Sequence, residues 1–374
     1  MKVLIAPDKF KGSLSAVEAA HAIACGFRAG HDSAKLEVVP IADGGEGFAE
    51  TLGVALNGGW VETTARDPLG RDVTARYVWV DDAKLAVIDM SQASGLWRLP
   101  PNERDPMRAS TFGTGQLMRH AAECGANTIL VGLGGSATTD GGIGMAEALG
   151  YQFLTSDGDP VEAIPSNLLA LTRINPENAI ALPQVIAACD VENVFLGPRG
   201  TAHVFSPQKG ADAKMVEVLE LSMENLADVV RQDLGCDHRD TPGAGAAGGL
   251  GFGLLSFCNA KMRSGFGLVA ETVQLEQRIA RCDLVITGEG RIDDQTFEGK
   301  GPAGVAALAR KSRKPILAFA GSVRDHAAVD GLFTATVPIV DELVTLDEAM
   351  RRGAEFLERA ACRTGRLIKL GKAL

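Results

Sequence analysis

A chain of 374 residues is about two and a half times a ~150-residue domain, so two domains are expected and a small disulfide-stapled scaffold is excluded. Hydrophobic residues make up 46% and charged residues 22%, the mixture of a folded globular protein rather than a disordered one. Asp plus Glu number 47 against 37 Lys plus Arg, a net charge of −10, which argues against a broad interface with nucleic acid.

Along the chain, Lys2 to Ala6 is a short run stopped by Pro7, the pattern of a strand. A helix follows: Ser15 and Glu18 form a capping box, Val17, Ala20, Ala24 and Phe27 share one face, and Gly30 stands where a terminating glycine belongs. His21 is placed on that apolar face as a packed residue. Leu36 to Ile41 reads as a second strand, so this strand-helix-strand unit implies a parallel pair. Val73 to Val80 and Lys84 to Asp89 flank Asp81-Asp82-Ala83 as a hairpin, which a purely parallel sheet lacks. A helix around Thr114 to Glu123, ended by Gly125, precedes strands at Thr128 to Leu133 and Gln184 to Cys189. The end of the chain repeats the opening grammar: strand Asp283 to Thr287, helix Gly301 to Lys311, strands Pro315 to Ala320 and Thr334 to Val340. A last helix runs from a Thr345/Glu348 capping box to about Arg366.

These elements imply an α/β protein of two domains. Residues 1–65 and 285–374 would build one flavodoxin/Rossmann-like parallel sheet from both chain ends, and residues 66–284 would form an inserted mixed α/β domain, with the active site in the cleft between them. The seven cysteines are spread singly without a CxxC, and the apolar run Val3 to Ala6 is too short for an export signal, so a cytoplasmic location is expected. The uncharged stretch Thr241 to Ala260 approaches membrane-span length, but its proline and glycines make it a buried loop and helix instead.

Glycine is in excess, 44 of 374 or about 12% against an average near 7%. Acidic or glycine-rich turns follow the strands at Asp8, Asp43 to Gly47, Gly134 to Gly142, Asp190 and Gly288 to Gly290. Ligands of open α/β sheets bind at the carboxyl ends of strands, so these turns outline a candidate site. Gly134 to Gly142, between a strand and a helix at Ile143 to Leu149, is the densest, and its backbone N–H groups suit phosphate. No GxxxxGK[ST] occurs, which sets aside a Walker-type nucleotide loop. Gly243 to Gly248 matches GxGxxG, yet no strand precedes it, so the dinucleotide reading lacks its context. The six histidines form no HxxxH or HExxH pair, against a zinc site. Lys9, Lys11, Lys209, Arg291 and Lys300 stand in or beside these loops, placed for an anionic substrate.

Ala6 to Ser15 and Asp43-Gly44-Gly45-Glu46-Gly47 resemble the bacterial class I glycerate kinases, and the likeness runs almost end to end. It continues through Thr111 to Gly115, Gly134 to Gly142, Cys189-Asp190-Val191, Pro207 to Ala211, Gly243 to Gly251 and Gly288 to Thr296, then Gly299 to Pro302 and Gly304-Val305-Ala306. The chain departs from that pattern at Asn193-Val194-Phe195 and Gly200 to His203. The resemblance implies ATP-dependent phosphorylation of D-glycerate, with 2-phosphoglycerate favoured over 3-phosphoglycerate, and ATP and Mg²⁺ as cofactors.

Phosphoryl transfer requires cations and backbone donors around phosphate, a carboxylate for Mg²⁺ and a base for the acceptor hydroxyl. Asp190 is the first candidate base and Asp293 the second, both being carboxylates at the edge of the expected cleft. Gly134, Gly135, Ser136 and Thr138 would line the phosphate site with Lys11 and Lys209 as clamps. Asp8, Arg291 and Lys300 would meet the substrate, and Asp43 the metal. The partners expected are D-glycerate and ATP, with no nucleic acid, no membrane and a homo-oligomer left open. The alternative is an NAD(P)-dependent oxidoreductase acting on a small hydroxy acid.

Overall fold

The structure is a computed structural model that describes residues 1–292, 301–324 and 331–371. The chain divides into two compact units, Met1–Asp43 with Phe266–Leu374, and Gly44–Gly265. The strand Gly59–Arg66, not among the elements read from sequence, pairs antiparallel with Asp72–Val80 and so belongs to the second unit.

The first unit holds a five-stranded sheet that is parallel throughout, in the spatial order Ala335–Pro338, Ile316–Val323, Leu284–Ile292, Lys2–Ile5, Lys35–Val38. From Lys2–Ile5 the chain moves outward to Lys35–Val38, whereas from Leu284–Ile292 it moves outward in the other direction. The order therefore reverses between Lys2–Ile5 and Leu284–Ile292, the position where open parallel sheets leave a crevice at their carboxyl edge. Strand Leu284–Ile292 runs five residues past the expected end at Thr287, so Gly288-Glu289-Gly290 is ladder rather than turn.

The helix Ala16–Gly30 begins at Ser15, with both bonds of the capping box formed to Glu18. Its buried stripe includes Ala19, Ala20, Ile23 and Phe27. His21 lies off that stripe and is exposed, beside Cys25, because position 21 points away from the residues at 16, 19, 20, 23 and 27. Gly30 does not stop the helix; His31 caps it, its N–H donating to the Phe27 carbonyl. What Gly26 and Gly30 provide is proximity, since a Cβ on either would overlap the backbone carbonyl of Glu358 or Cys362 in the last helix, Gly353–Gly371. That helix is separate from Leu346–Arg351, which Thr345 caps, so the expected single terminal helix is broken at Arg352.

The second unit is built on a six-stranded mixed sheet in the order Lys261–Arg263, Gln184–Ala188, Thr128–Gly132, Leu85–Asp89, Asp72–Val80, Gly59–Arg66. Its first four members are parallel and its last three antiparallel, sharing Leu85–Asp89, which agrees with the expected hairpin. The 22-residue helix Ala213–Leu234 is a second element not read from sequence, although Asp212 caps its start and Gly235, at φ +70°, ends it. The core combines Tyr77, Ile88, Leu117, Val131, Leu226 and Phe252. Among the described residues no helix is long and apolar enough to cross a membrane.

Gly26→Ala gains helix propensity of about 1 kcal/mol but drives a methyl into the Glu358 carbonyl, an overpacking cost of roughly 1–3 kcal/mol. The urea midpoint should fall with an unchanged m-value; a midpoint at or above that of the unsubstituted protein would contradict this helix contact.

Candidate functional site

In the first unit the turns after two neighbouring strands run side by side, tied by Val39 N–H to the Ile5 carbonyl at 2.8 Å and Ile41 N–H to the Pro7 carbonyl at 3.0 Å. Asp8 follows, its N–H on the Gly288 carbonyl at 2.9 Å, which puts it at the reversal point of the sheet. Its buried carboxylate receives the Lys9 N–H at 2.7 Å and lies against Gly301, the first residue of the helix Gly301–Lys311. A helix N-terminus favours such an anion. The Lys9 ammonium is 4.0 Å from Asp8 and 3.0 Å from Asp43, so both carboxylates share one cation.

Asp43, read from sequence as the metal carboxylate, is half-buried and accepts from Lys9 Nζ through Oδ1, and among the described residues no group of three His, Cys, Asp or Glu side chains is preassembled for a metal ion. Lys11 and Arg291 are exposed, Lys11 just past the Asp8 turn and Arg291 near the end of its strand. Asp293 and Lys300 lie outside the described residues.

In the second unit the carboxyl ends of Leu85–Asp89, Thr128–Gly132, Gln184–Ala188 and Lys261–Arg263 share one edge. Asp89 is buried there and accepts from the N–H groups of Gly47 at 3.0 Å and Ala49 at 2.9 Å, thereby holding the start of the helix Phe48–Leu56. Asp190 is half-buried, and its Oδ1 accepts from Ser264 Oγ at 2.7 Å and from Gly265 N–H at 3.0 Å. It therefore braces the start of the helix Gly265–Thr272, and these two donors fix the carboxylate's orientation.

The loop Gly134–Gly142 exposes only its tip. Gly135 is exposed and Gly134 half-buried, whereas Ser136, Ala137, Thr138, Thr139 and Asp140 are buried. The tip lies beside the Gly45-Glu46 turn, where a Cβ on Gly134 would come within 2.5 Å of Gly45 Cα, and it is held by Leu96 N–H on the Gly135 carbonyl at 2.8 Å. The hydroxyls of Thr138 and of Ser91, which underlies Gly135, are buried without a hydrogen-bond partner among the described residues.

Beneath the tip, Asp140 is fully buried. Its Oδ2 accepts from Thr111 N–H and Thr111 Oγ1, each at 2.7 Å, and from Gly144 N–H at 3.3 Å, while Oδ1 accepts from Gly142 N–H at 3.1 Å. Burial raises its pKa and these hydrogen bonds lower it. Three donors are backbone N–H groups that cannot reverse, and Thr111 Oγ1 itself accepts from Met145 N–H at 2.9 Å, so the hydrogen bonds favour the carboxylate while burial, the larger influence, leaves the pKa raised. Lys209 is also buried, with its ammonium on the Thr138 carbonyl at 2.5 Å. Lys209, read from sequence as a phosphate clamp, is thus placed against the loop at Thr138 and not at its exposed tip.

The Gly243–Gly248 run explains itself by packing. It follows a loop after the helix Ala213–Leu234 and not a strand, so it is no dinucleotide turn. Ala247, Gly248 and Gly249 are all left-handed, at φ +53°, +72° and +84°, which lays the backbone of Ala246–Cys258 against the loop. A Cβ on Gly249 would reach Gly141 Cα at 2.9 Å, and one on Gly142 would reach Gly253 Cα at 2.8 Å. A surface hollow of about 510 Å³ lies elsewhere in this unit, lined by Leu69, Arg104, Arg108, Gly210 and Met215, and none of the site residues read from sequence lines it.

The sequence profile of the glycerate kinase family matches residues 3–369. The chain is 43% identical to a glycerate kinase of Bacillus subtilis (strain 168) over 383 aligned residues, covering 100% of this chain and 99% of that protein. It is 40% identical to a glycerate 2-kinase of Escherichia coli (strain K12), covering 99% of each. A solved structure named as a glycerate kinase 2, from Salmonella typhimurium LT2, superposes with a TM-score of 0.86 at 40% identity and full coverage of both chains.

Asp140→Asn keeps the shape but turns an NH₂ group toward at least one backbone N–H, at a cost of roughly 1–3 kcal/mol. Thermal unfolding should register that loss. A variant as stable as the parent would mean that the native group is already a neutral acid.

Proposed function

The chain belongs to the glycerate kinase family, a family of alcohol-group phosphotransferases, and from that premise we propose that it transfers the γ-phosphate of ATP to D-glycerate, giving 2-phosphoglycerate. The observation that carries the nucleotide reading is the Gly134–Gly135 tip: exposed backbone at the carboxyl end of a parallel strand, with the buried Ser91 hydroxyl against Gly135 and the buried Thr138 hydroxyl further along the loop both without a hydrogen-bond partner among the described residues. The 40%-identical Escherichia coli relative, a glycerate 2-kinase, supports the 2-hydroxyl as acceptor. Mg²⁺ enters with ATP as its counter-ion, held chiefly by phosphate oxygens, with Asp43 the protein carboxylate assigned to it.

In the proposed reaction a glycerate hydroxyl oxygen bonds to the γ-phosphorus, the bond from that phosphorus to the ADP oxygen breaks, and the hydroxyl proton passes to a carboxylate. Asp190 is assigned as that base, because Ser264 and Gly265 fix its orientation at a strand end. Asp293 is the second candidate by residue type. Gly134, Gly135 and Ser136 receive phosphate oxygens, with Thr138 contributing its hydroxyl. Lys11 is a free-standing cation for phosphate, and Asp8, Arg291 and Lys300 are assigned to glycerate, the two cations to its carboxylate. The absence of a strand before Gly243 removes the support for the NAD(P)-dependent alternative.

Purified protein should release ADP from MgATP only when D-glycerate is present, and should not reduce NAD with hydroxy acids; nicotinamide-dependent turnover without ADP release would overturn the assignment. The phosphorus resonance of the product separates the regioisomers, because a 2-phosphate couples to one carbon-bound proton and a 3-phosphate to two. Asp190→Asn should lower kcat by roughly 10²- to 10⁴-fold. Its stability should change little, since an amide oxygen still accepts from Ser264 and Gly265. A folded variant with unchanged kcat removes Asp190 from the chemistry.

A further inference from the structure

Lys209 is a buried cation that the proposed chemistry does not use. It closes the short turn Pro207–Lys209, and Gly210, at φ +103°, lets the chain leave it. The side chain is 1% exposed and its Nζ reaches the Thr138 carbonyl at 2.5 Å, four residues after the loop begins. Gly248 makes the space: a Cβ there would come within 2.9 Å of Nζ and would overlap the Thr138 carbonyl.

The charged surroundings are sparse. Among the described residues, Asp140, fully buried and two residues beyond Thr138, is the charged side chain acting on the ammonium. His203, on the preceding helix Thr201–Phe205, faces Glu220 of Ala213–Leu234 at 4.0 Å. Ser206 Oγ, from the same turn, meets Thr139 Oγ1 at 3.3 Å, and the segment Gly243–Gly253 carries no titratable side chain. Arg104 flanks Gly210 through its backbone.

We propose that Lys209 is a positioning residue that presets the Gly134–Gly135 tip for nucleotide phosphate by gripping the Thr138 carbonyl from behind, an inference that rests on the reading of this loop as the phosphate site. A charge-assisted hydrogen bond is roughly twice as strong as a neutral one, so the grip depends on the proton. Burial pushes the Lys209 pKa down to about 7, with Asp140 pulling it upward, so the ammonium is lost just above neutrality. Between about 7 and the ordinary 10.5 the unfolded chain holds this proton and the folded chain does not, so stability rises with pH across that window. The grip weakens over the same window. A lysine with a merely structural role would not oppose binding to stability in this way.

The test measures the KM for MgATP, kcat and the melting temperature from pH 6 to 9 in the full chain and in Lys209→Met, with Lys209→Gln as a second variant that keeps a neutral donor. The expected result is a several-fold rise in KM through pH 7 in the unsubstituted protein, while its melting temperature gains on that of Lys209→Met. Both variants should show a raised KM without that inflection, and kcat should change less than KM. A KM in either variant equal to that of the unsubstituted protein, or a loss confined to kcat, would overturn the positioning role. Gly135→Val tests the underlying reading separately: if it leaves the KM for MgATP unchanged, the loop is not the phosphate site, whereas a raised KM beside normal Lys209 variants defeats only the present inference.

Discussion

The second unit depends on one contact of backbone against backbone, where Gly141 and Gly142 meet Gly249 and Gly253. Two main chains can approach this closely only where neither carries a Cβ, and interiors are packed so densely that a methyl there has nowhere to go. The contact explains the left-handed path through Ala247, Gly248 and Gly249, a conformation that a non-glycine residue such as Ala247 adopts only when its surroundings impose it. It also explains why the turn after Thr128–Gly132 is buried from Ser136 onward and presents only its first glycines to solvent.

Removing side chains from a loop makes it pliable, and the charged groups beneath supply what the glycines give up. Asp140 ties the loop to Thr111, ahead of the helix Phe112–Glu123, and to Gly142 and Gly144 at the start of Ile143–Ala148, while Lys209 ties it to the turn at Pro207. Buried polar networks of this kind rigidify when every member is satisfied. The hydroxyls of Ser91 and Thr138 remain without partners among the described residues, and phosphate oxygens are acceptors of the kind they lack.

The parallel sheet made by both chain ends was legible because its strands contain short apolar runs and its first helix carries a complete capping box. The edge strand Gly59–Arg66 was not, since its apolar residues barely alternate and most of it is exposed. Gly30 looked like a helix stop because local sequence cannot distinguish a terminating glycine from one that admits a neighbouring helix. The same ambiguity governs the site. Glycine density marked the loop at Gly134–Gly142, but nothing local distinguishes Lys209, turned inward, from Lys11, turned to solvent, because burial is settled by residues distant in sequence. Asp140 was hidden for the same reason: its partner Thr111 lies 29 residues away. Glu46, alongside the tip, belongs to a motif that was read, yet its place there follows from the fold alone.

The central claim is that the Gly134–Gly135 tip is where nucleotide phosphate binds, and amide hydrogen exchange with and without MgATP addresses it without reference to turnover. The account predicts slowed exchange at peptides covering Gly134 to Ala137, where the exposed backbone of the tip would become covered. Protection at the Gly243–Gly248 segment with the 134–137 peptides unchanged would contradict it.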